Sequence, residues 1–475
     1  VSNEALIPPW QLRARFAVRL AELYGGEVPA YNTLVEVSTE VNQRVMDARG
    51  GDAERLGSLD RVTAERHGAI RVGTPTELAQ VARIFGALGM YPTGFYDLRD
   101  AQPQPIPVVS TAFRPHEADE LARNPFRVFT SMLVPQDRRF FDADLQRRLE
   151  HFLAARTLFP AELLELADRA EADGGLTESD ADRFLELAAA SFALADEPVD
   201  RAWYDELSEI SGVAADIGGV TSTHINHLTP RVLDIDDLYT SMQARGIEMI
   251  AEIQGPPDWA GPDVLLRQTS FRALAERRAF READGSIGEG ELRVRFGEVE
   301  QRGIALTPAG RELFDELVAA TDRRLAEQQG RTRVDLAREV WAERLPGTEA
   351  ELEREGLAYF RYVVGDSRPA GDPPADLDAL LTGGWLVAEP IVYEDFLPRS
   401  AAGIFNSNLS DSGSRDTTQD AAERDQAWLA EVIGRPIAEP FELYAAERDA
   451  SLRDAAAALG LPADALALTG ARSAS

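Results

Sequence analysis

"HINHLTPRVLDIDDL", residues 224–238, holds two of the chain's five histidines, three positions apart. It reads as a short strand running into a helix start. Alternate residues of a strand share a face, so His227 and Arg231 point the same way. His224 is out of phase with His227. It faces the other side or precedes the strand, and it reads as a capping residue or a support for a ligand, with direct metal ligation as the alternative.

Residues 66–78, "RHGAIRVGTPTEL", repeat this layout. His67 is followed four residues later by Arg71-Val72, as His227 is by Arg231-Val232. An acid-Leu pair then falls at the same offset, Glu77-Leu78 and Asp237-Leu238, and both helices run out through a glycine into a methionine. Each unit continues with three strand-like runs: "YPTGFYDL", "IPVVSTAFRP" and "FRVFTSMLVP" in the first, "EMIAEIQGPP", "DVLLRQTSFRALA" and "ELRVRFGEVEQRGIAL" in the second. The order is β-α-β-β-β twice, which points to an internal duplication. Two such modules about a pseudo-twofold bring His67 and His227 together as candidate metal ligands.

The last strand of the second module offers a carboxylate. Glu298 and Glu300 share a face, and either one reaches a metal held by the histidines; a salt-bridged pair with Arg295 or Arg302 is the plainer reading. The matching strand of the first module has no acid. Two histidines and one carboxylate leave neighbouring coordination positions open, which suits Fe(II) and oxygen chemistry.

Composition narrows the field. Among 475 residues there is no cysteine and no lysine, so every basic side chain is arginine. That removes thiolate nucleophiles, iron–sulfur ligands, Schiff-base chemistry and the lysine of a phosphate-binding loop. A net charge of −32 repels nucleic acid and anionic membranes, so neither is expected as a partner. An anionic substrate needs local arginines. With no long apolar run and no basic-apolar leader, a cytoplasmic protein is expected.

The wider division reads as helical residues 1–60, a first module at 61–135, an acidic helical insertion at 136–215 and a second module at 216–306. Helices with a closing strand and loop follow at 307–410, then Ala-rich helices at 411–475. His116, after a proline in a loop, and His151, on an acidic helix, read as structural or solvent-facing.

Paired modules of this order, with a histidine opening each and a glutamate on the final strand, resemble the vicinal oxygen chelate superfamily. "GEVEQR" resembles the end-strand motif of the hydroxyphenylpyruvate dioxygenases, which favours Glu298 over Glu300. More specifically, "RHGAIR", "NHLTPR", "RFGEVEQRGIALTPAGRELFD" and "YEDFLPRSAAGIF" resemble the 2-oxoadipate dioxygenase/decarboxylase family, from the N-terminal helices to about residue 410.

The resemblance implies an α+β fold in which two βαβββ modules form a central, β-barrel-like metal site with substantial helical additions. It implies Fe(II) on His67, His227 and Glu298. Arg71 and the loop carrying Arg399 and Ser400 contact the substrate, a 2-oxo dicarboxylic acid that reacts with O2. 2-Oxoadipate becomes 2-hydroxyglutarate and CO2 in the degradation of lysine. The long side chain of Arg71, about 13 Å along the strand from His67, then meets the distal carboxylate, with a structural pair to an acid as the alternative. Arg231 holds the symmetric place; Tyr393 and Glu394 stand as supports of the site or as ordinary packing and surface charge. An extradiol dioxygenase, a glyoxalase-like isomerase and a non-enzymatic binder are the alternatives on the same scaffold.

Overall fold

Thr74 marks where the first strand gives way to helix. Its hydroxyl accepts from the Glu77 amide at 3.1 Å, and the Glu77 carboxylate accepts from the amides of Gly73 and Thr74 at 2.6 and 3.1 Å. Pro75 supplies the first-turn φ, and the helix runs Pro75–Ala87. Asp234 does the same before the helix Ile235–Ala244, accepting from the Asp237 amide at 2.9 Å. The repeat seen in the sequence is thus a repeat of strand stop and helix cap. These features belong to a computed structural model that describes residues 5–50, 59–101, 105–273, 275–293, 295–366, 369–397, 418–419, 421–462 and 465–466.

The first unit holds β1 (Arg66–Val72), β2 (Tyr91–Asp97), β3 (Val108–Arg114) and β4 (Arg127–Leu133). A two-residue strand, β5 (Val199–Asp200), lies in the insertion, and β6 (His227–Pro230) opens the second unit. Beyond it come β7 (Leu266–Phe271), β8 (Glu276–Arg281), β9 (Ile287–Leu292), β10 (Gly297–Arg302), β11 (Phe360–Val364) and β12 (Leu386–Pro390). Strands β2-β3-β4-β1-β6 form one five-stranded sheet. β1 runs parallel to β4 and antiparallel to β6, with His67 opposite Thr229 and Ala69 opposite His227. The two histidines therefore take equivalent places in one ladder.

The second unit departs from the expected order. "EMIAEIQGPP" makes only isolated bridges, Met249 with Phe271 and Gln254 with Gln268. Gly255 sits at φ 103°, and the two prolines after it have no N–H for a ladder. The run read as one strand from Glu291 is two: β9 pairs with β8 in a hairpin, and β10 pairs with β7. The turn of that hairpin is Asp284-Gly285 in "EADGSI", with Gly285 at φ 83°, a dipeptide that favours two-residue hairpin turns.

The architecture is α+β, but the barrel-like enclosure expected from the sequence is not there. Among the described residues the strands form sheets of five, three, two and two, and none of them closes. β6 meets β10 through a single parallel bridge, Arg231 with Glu300, and the Val232 amide donates to the Glu300 carbonyl at 2.8 Å. A two-stranded second sheet is too small to curl around a centre. The site is instead a junction where β1, β6 and β10 lie side by side.

The helices Pro9–Glu27 and Pro29–Arg49 share a core with Ile70 and Val72 on one face of β1. The other face carries His67, Ala69 and Arg71. There Ala69 joins Phe129, Ala214, Ile217, Phe296 and Phe396 in a second apolar cluster. Each buried phenylalanine contributes about 1.5–3 kcal/mol, which fixes the floor on which the polar residues stand. Residues 136–215 are mostly helical, and the helix Gly212–Gly218 packs on β1. Among the described residues no helix is long and apolar enough to cross a membrane.

Candidate metal centre

Strand alternation places Glu298, Glu300 and Arg302 on one face of β10, turned toward β1 and β6. His67 Nε2 lies 3.1 Å from Glu298 Oε1, and His227 Nε2 lies 3.7 Å from Glu298 Oε2. The two imidazoles stand edge to face, with centroids 5.3 Å apart at 89°. One ligand atom from each of His67, His227 and Glu298 lies within 4.8 Å of the others, and all three residues are buried. Among the described residues no other group of histidine and carboxylate side chains meets this condition.

The remaining ring nitrogens are occupied from behind. His67 Nδ1 stands 2.8 Å from Glu300 Oε2, and His227 Nδ1 stands 2.9 Å from Thr229 Oγ1. These contacts turn both Nε2 atoms toward Glu298. The difference between them follows from the repeat. Thr229 sits two residues after His227, whereas the equivalent place after His67 is Ala69, which has no oxygen to offer. Glu300 fills that gap from β10. Gln268, opposite Glu300 on β7, donates its amide to Glu298 Oε1. The two glutamates are thus sorted: Glu298 faces both Nε2 atoms, and Glu300 faces the back of His67.

Charge follows the same division. Burial opposes a proton on His67, but Glu300 and Glu298 outweigh it and raise its pKa. Burial, with His67 and Arg71 nearby, holds His227 well below its ordinary value. Burial pushes Glu298 up, with His67 opposing. Burial would raise Glu300 too, but Arg302, His67 and Arg127 bring it down to about 2.

Behind Glu300 lies a buried ionic network that the sequence did not announce. Arg302 gives Glu300 two hydrogen bonds, at 2.8 and 2.9 Å. Arg127 donates to both Glu65 and Glu394 at 2.6 Å, and Arg231 donates to Glu65 at 2.9 Å. Arg61 also bonds Glu394. Arg231, whose place mirrors that of Arg71, belongs to this scaffold. Arg295 pairs instead with Glu276 and Glu27, so the Glu300–Arg302 pair is real but buried rather than on a rim. Glu394 is likewise a buried network member and not a surface charge, and the Tyr393 hydroxyl donates to the Phe396 carbonyl at 2.9 Å. Phe396 packs edge-on against His67 at 5.0 Å, and Phe296 stacks on His227 at 5.2 Å.

His224 precedes β6. It is buried, with Nε2 3.1 Å from Asp216 Oδ1, and it is not part of the His67–His227–Glu298 group. Asp216 also takes Arg71 Nη1. His116 Nε2 stands 2.9 Å from the Thr93 hydroxyl, and His151 is exposed on the helix Ala143–Ala155. Arg399 and Ser400 lie outside the described residues. Thr229, Gln268 and the two phenylalanines had weak signals, since they are neighbours in register or sequence of residues already singled out. Asp216 had none, because its helix meets β1 only in three dimensions.

The sequence profile of a family described as 2-oxoadipate dioxygenase/decarboxylase matches residues 16–408. A Mycobacterium bovis protein named 2-oxoadipate dioxygenase/decarboxylase is 57% identical over 444 residues, covering 94% of this chain and 98% of its own. A protein of the same name from Pseudomonas putida is 41% identical over 467 residues, covering 96% and 98%. The crystal structure of the Pseudomonas putida hydroxyglutarate synthase in complex with 2-oxoadipate superposes with a TM-score of 0.83 at 38% identity, covering 96% of this chain and 99% of that one. With its buried histidine–glutamate group and a match over most of its length, the chain belongs to the 2-oxoadipate dioxygenase/decarboxylase family.

Proposed function

We propose that this chain is an Fe(II)-dependent dioxygenase and decarboxylase that converts 2-oxoadipate and O2 into 2-hydroxyglutarate and CO2. The observation that carries the reading is the convergence of His67, His227 and Glu298. The donor set suits a first-row divalent metal: two imidazoles and one carboxylate, with Thr229 and Gln268 hydrogen-bonded to His227 and Glu298 and the Glu300 carboxylate 2.8 Å behind His67. Ligands at roughly 2.0–2.2 Å from a metal and at right angles stand about 3 Å apart. The His67–Glu298 separation of 3.1 Å meets that, and the 3.7 Å of His227 is within a small side-chain adjustment. Three protein ligands would leave further coordination positions of such a metal to substrate and O2. Fe(II) bound there supplies the electrons that activate O2 and a Lewis acid for a 2-oxo acid.

The reaction balances with O2 as its sole co-substrate, one oxygen atom entering the new carboxylate and the other the hydroxyl. The C1–C2 bond breaks and C1 leaves as CO2, C2 becomes a carboxylate, and C3 gains the hydroxyl. Glu300 and Thr229 hold the two rings in the orientation that points Nε2 inward. Phe396 and Phe296 pack on those rings and limit water around them. Arg71, on the face of β1 that carries His67, binds the distal carboxylate; a buried guanidinium is worth more to a carboxylate than an exposed one. By the family resemblance Arg399 and Ser400 are further substrate contacts.

The finer architecture belongs to the same reading: two βαβββ-derived modules at 61–135 and 216–306, of the vicinal oxygen chelate kind, with helical additions. The reciprocal pairing of His67 with Thr229 and Ala69 with His227 supports it, as do the matching caps at Thr74 and Asp234.

The test is anaerobic Fe(II) loading, then O2 uptake and CO2 release across a panel of 2-oxo acids. 2-Oxoadipate is the preferred substrate and 2-hydroxyglutarate the product. His67→Ala, His227→Ala and Glu298→Ala lose both bound iron and turnover. Turnover by any of these three at the wild-type rate ends the assignment.

A further inference from the structure

The helical insertion reaches the site through one side chain. Asp216 sits in the helix Gly212–Gly218, which Ser211 caps and which packs on β1. Its carboxylate is buried and meets three groups. Arg71 Nη1 and Asn226 Nδ2 donate to Oδ2, the latter at 3.0 Å, and His224 Nε2 lies 3.1 Å from Oδ1. Asn226 and His224 are themselves held against β1. The Asn226 amide donates to the Ala69 carbonyl at 2.9 Å, and the neighbouring Thr223 hydroxyl donates to the Arg71 carbonyl at 2.7 Å. The segment before β6 thus extends the sheet along β1 and delivers both side chains to Asp216.

Arg71 and its repeat equivalent Arg231 are therefore held differently. Arg231 donates to Glu65, a carboxylate shared with Arg127, and is tied into the scaffold behind Glu300. Arg71 meets a carboxylate that also accepts from Asn226 Nδ2 and has the His224 ring beside it, on the same face of β1 as His67. A guanidinium carries its donors in a rigid plane, so anchoring one edge fixes the direction of the others. A flexible arginine gives up rotamer entropy each time it binds an anion, and pre-anchoring removes that cost.

We propose that Asp216, held by His224 and Asn226, is a positioning residue for Arg71 and sets the preference of the site for dicarboxylic over monocarboxylic 2-oxo acids. This rests on the reading of Arg71 as the partner of the distal carboxylate. It gives the helical insertion a part in substrate selection, and it explains why a histidine outside the metal group lies buried three residues before His227.

The experiment compares the iron-loaded full chain with Asp216→Ala, Asp216→Asn, Arg71→Ala and the Arg71→Ala/Asp216→Ala double variant. Each is assayed with 2-oxoadipate and with 2-oxohexanoate, a monocarboxylic acid of the same length. The latter is read as an inhibition constant against 2-oxoadipate where turnover is slow. Bound iron and thermal midpoint are measured for every protein. Asp216→Ala raises KM for 2-oxoadipate about tenfold or more, the loss expected for one misplaced charge-assisted hydrogen bond. Its effect on 2-oxohexanoate stays within about threefold, and its iron content matches wild type. Asp216→Asn, which still accepts from Arg71, falls between. The double variant is no worse than Arg71→Ala, because Asp216 acts through Arg71. Equal effects of Asp216→Ala on both acids, tighter binding of 2-oxoadipate, or full additivity with Arg71→Ala overturns the proposal while leaving the role of Arg71 standing. Equal effects of Arg71→Ala on both acids overturns that role, and the positioning proposal with it.

Discussion

Glu298 and Glu300 are two residues apart, chemically identical and equally buried, yet the structure gives them opposite tasks. Glu298 points between the two imidazoles, where burial raises its pKa. Glu300 is held ionised by Arg302 and Arg127 and faces the back of His67. Glu300→Gln keeps the shape and removes the charge. It is expected to lower metal affinity about 10–100-fold, as loss of a partner behind a metal-binding histidine does, and to lower stability because Arg302 loses its charged partner. Metal titration with a competing chelator measures it, and unchanged affinity would show that Thr229 and the ring packing suffice. The sequence narrowed the carboxylate to these two positions. It did not rank them by residue pattern, because a strand period of two puts both on the same face.

At the scale of elements, β10 decides the site. It pairs with β7, touches β6 through one bridge and presents Glu298 immediately after Gly297. Gly297 lies opposite Phe271, whose ring crosses the strand where a Cβ would sit. Gly297→Ala therefore displaces the ring or the strand, at about 1–3 kcal/mol, the usual range for overpacking. Denaturant melts are expected to show that loss, and metal affinity is expected to fall with it because Glu298 moves. A stable variant with native metal affinity would mean that Phe271 yields freely. The strands β1 and β6 and the helix caps after them were legible because each is written locally, in alternation and in Thr-Pro or Asp signals. The break between β9 and β10 and the failure of the run from Glu248 to become a strand were not, since pairing partners decide them.

The whole molecule carries a net charge of −32 and still buries many arginines. Each of the principal ones here is balanced by acid: Arg127 and Arg231 by Glu65, Arg71 by Asp216, Arg114 by Asp395. Isolated burial of such charges costs several kcal/mol, so the network is a condition of folding more than a source of stability. Burial alone would raise Glu65, but Arg231, Arg127, Arg61 and Arg302 hold it well below its ordinary 4.5. Burial likewise opposes Asp216 and Asp395, and His224 with Arg71, and Arg114, bring them below their ordinary 3.8. Depressed carboxylates stabilise the fold fully above their unfolded values, and the contribution is lost as pH falls through them toward the folded ones. Stability is expected to hold from neutral pH down to about pH 5 and to drop steeply below it. Denaturant melts at a series of pH values check this; a flat profile down to about pH 3 would contradict the network's role.

The amino-acid sequence by itself determined the family and the candidate metal ligands: two histidines at like places in two strand–helix segments, and two glutamates. These are properties of local order: period, cap and motif. Only the tertiary structure decided which glutamate faces the imidazoles, which arginine is scaffold and which is held on the site's face, and that an aspartate from the insertion completes the surroundings of Arg71. The reason is that burial and pairing, which set charge and direction, depend on neighbours far away in the chain. Glu65 meets Arg302 across more than two hundred residues, and no pattern within one segment records that contact.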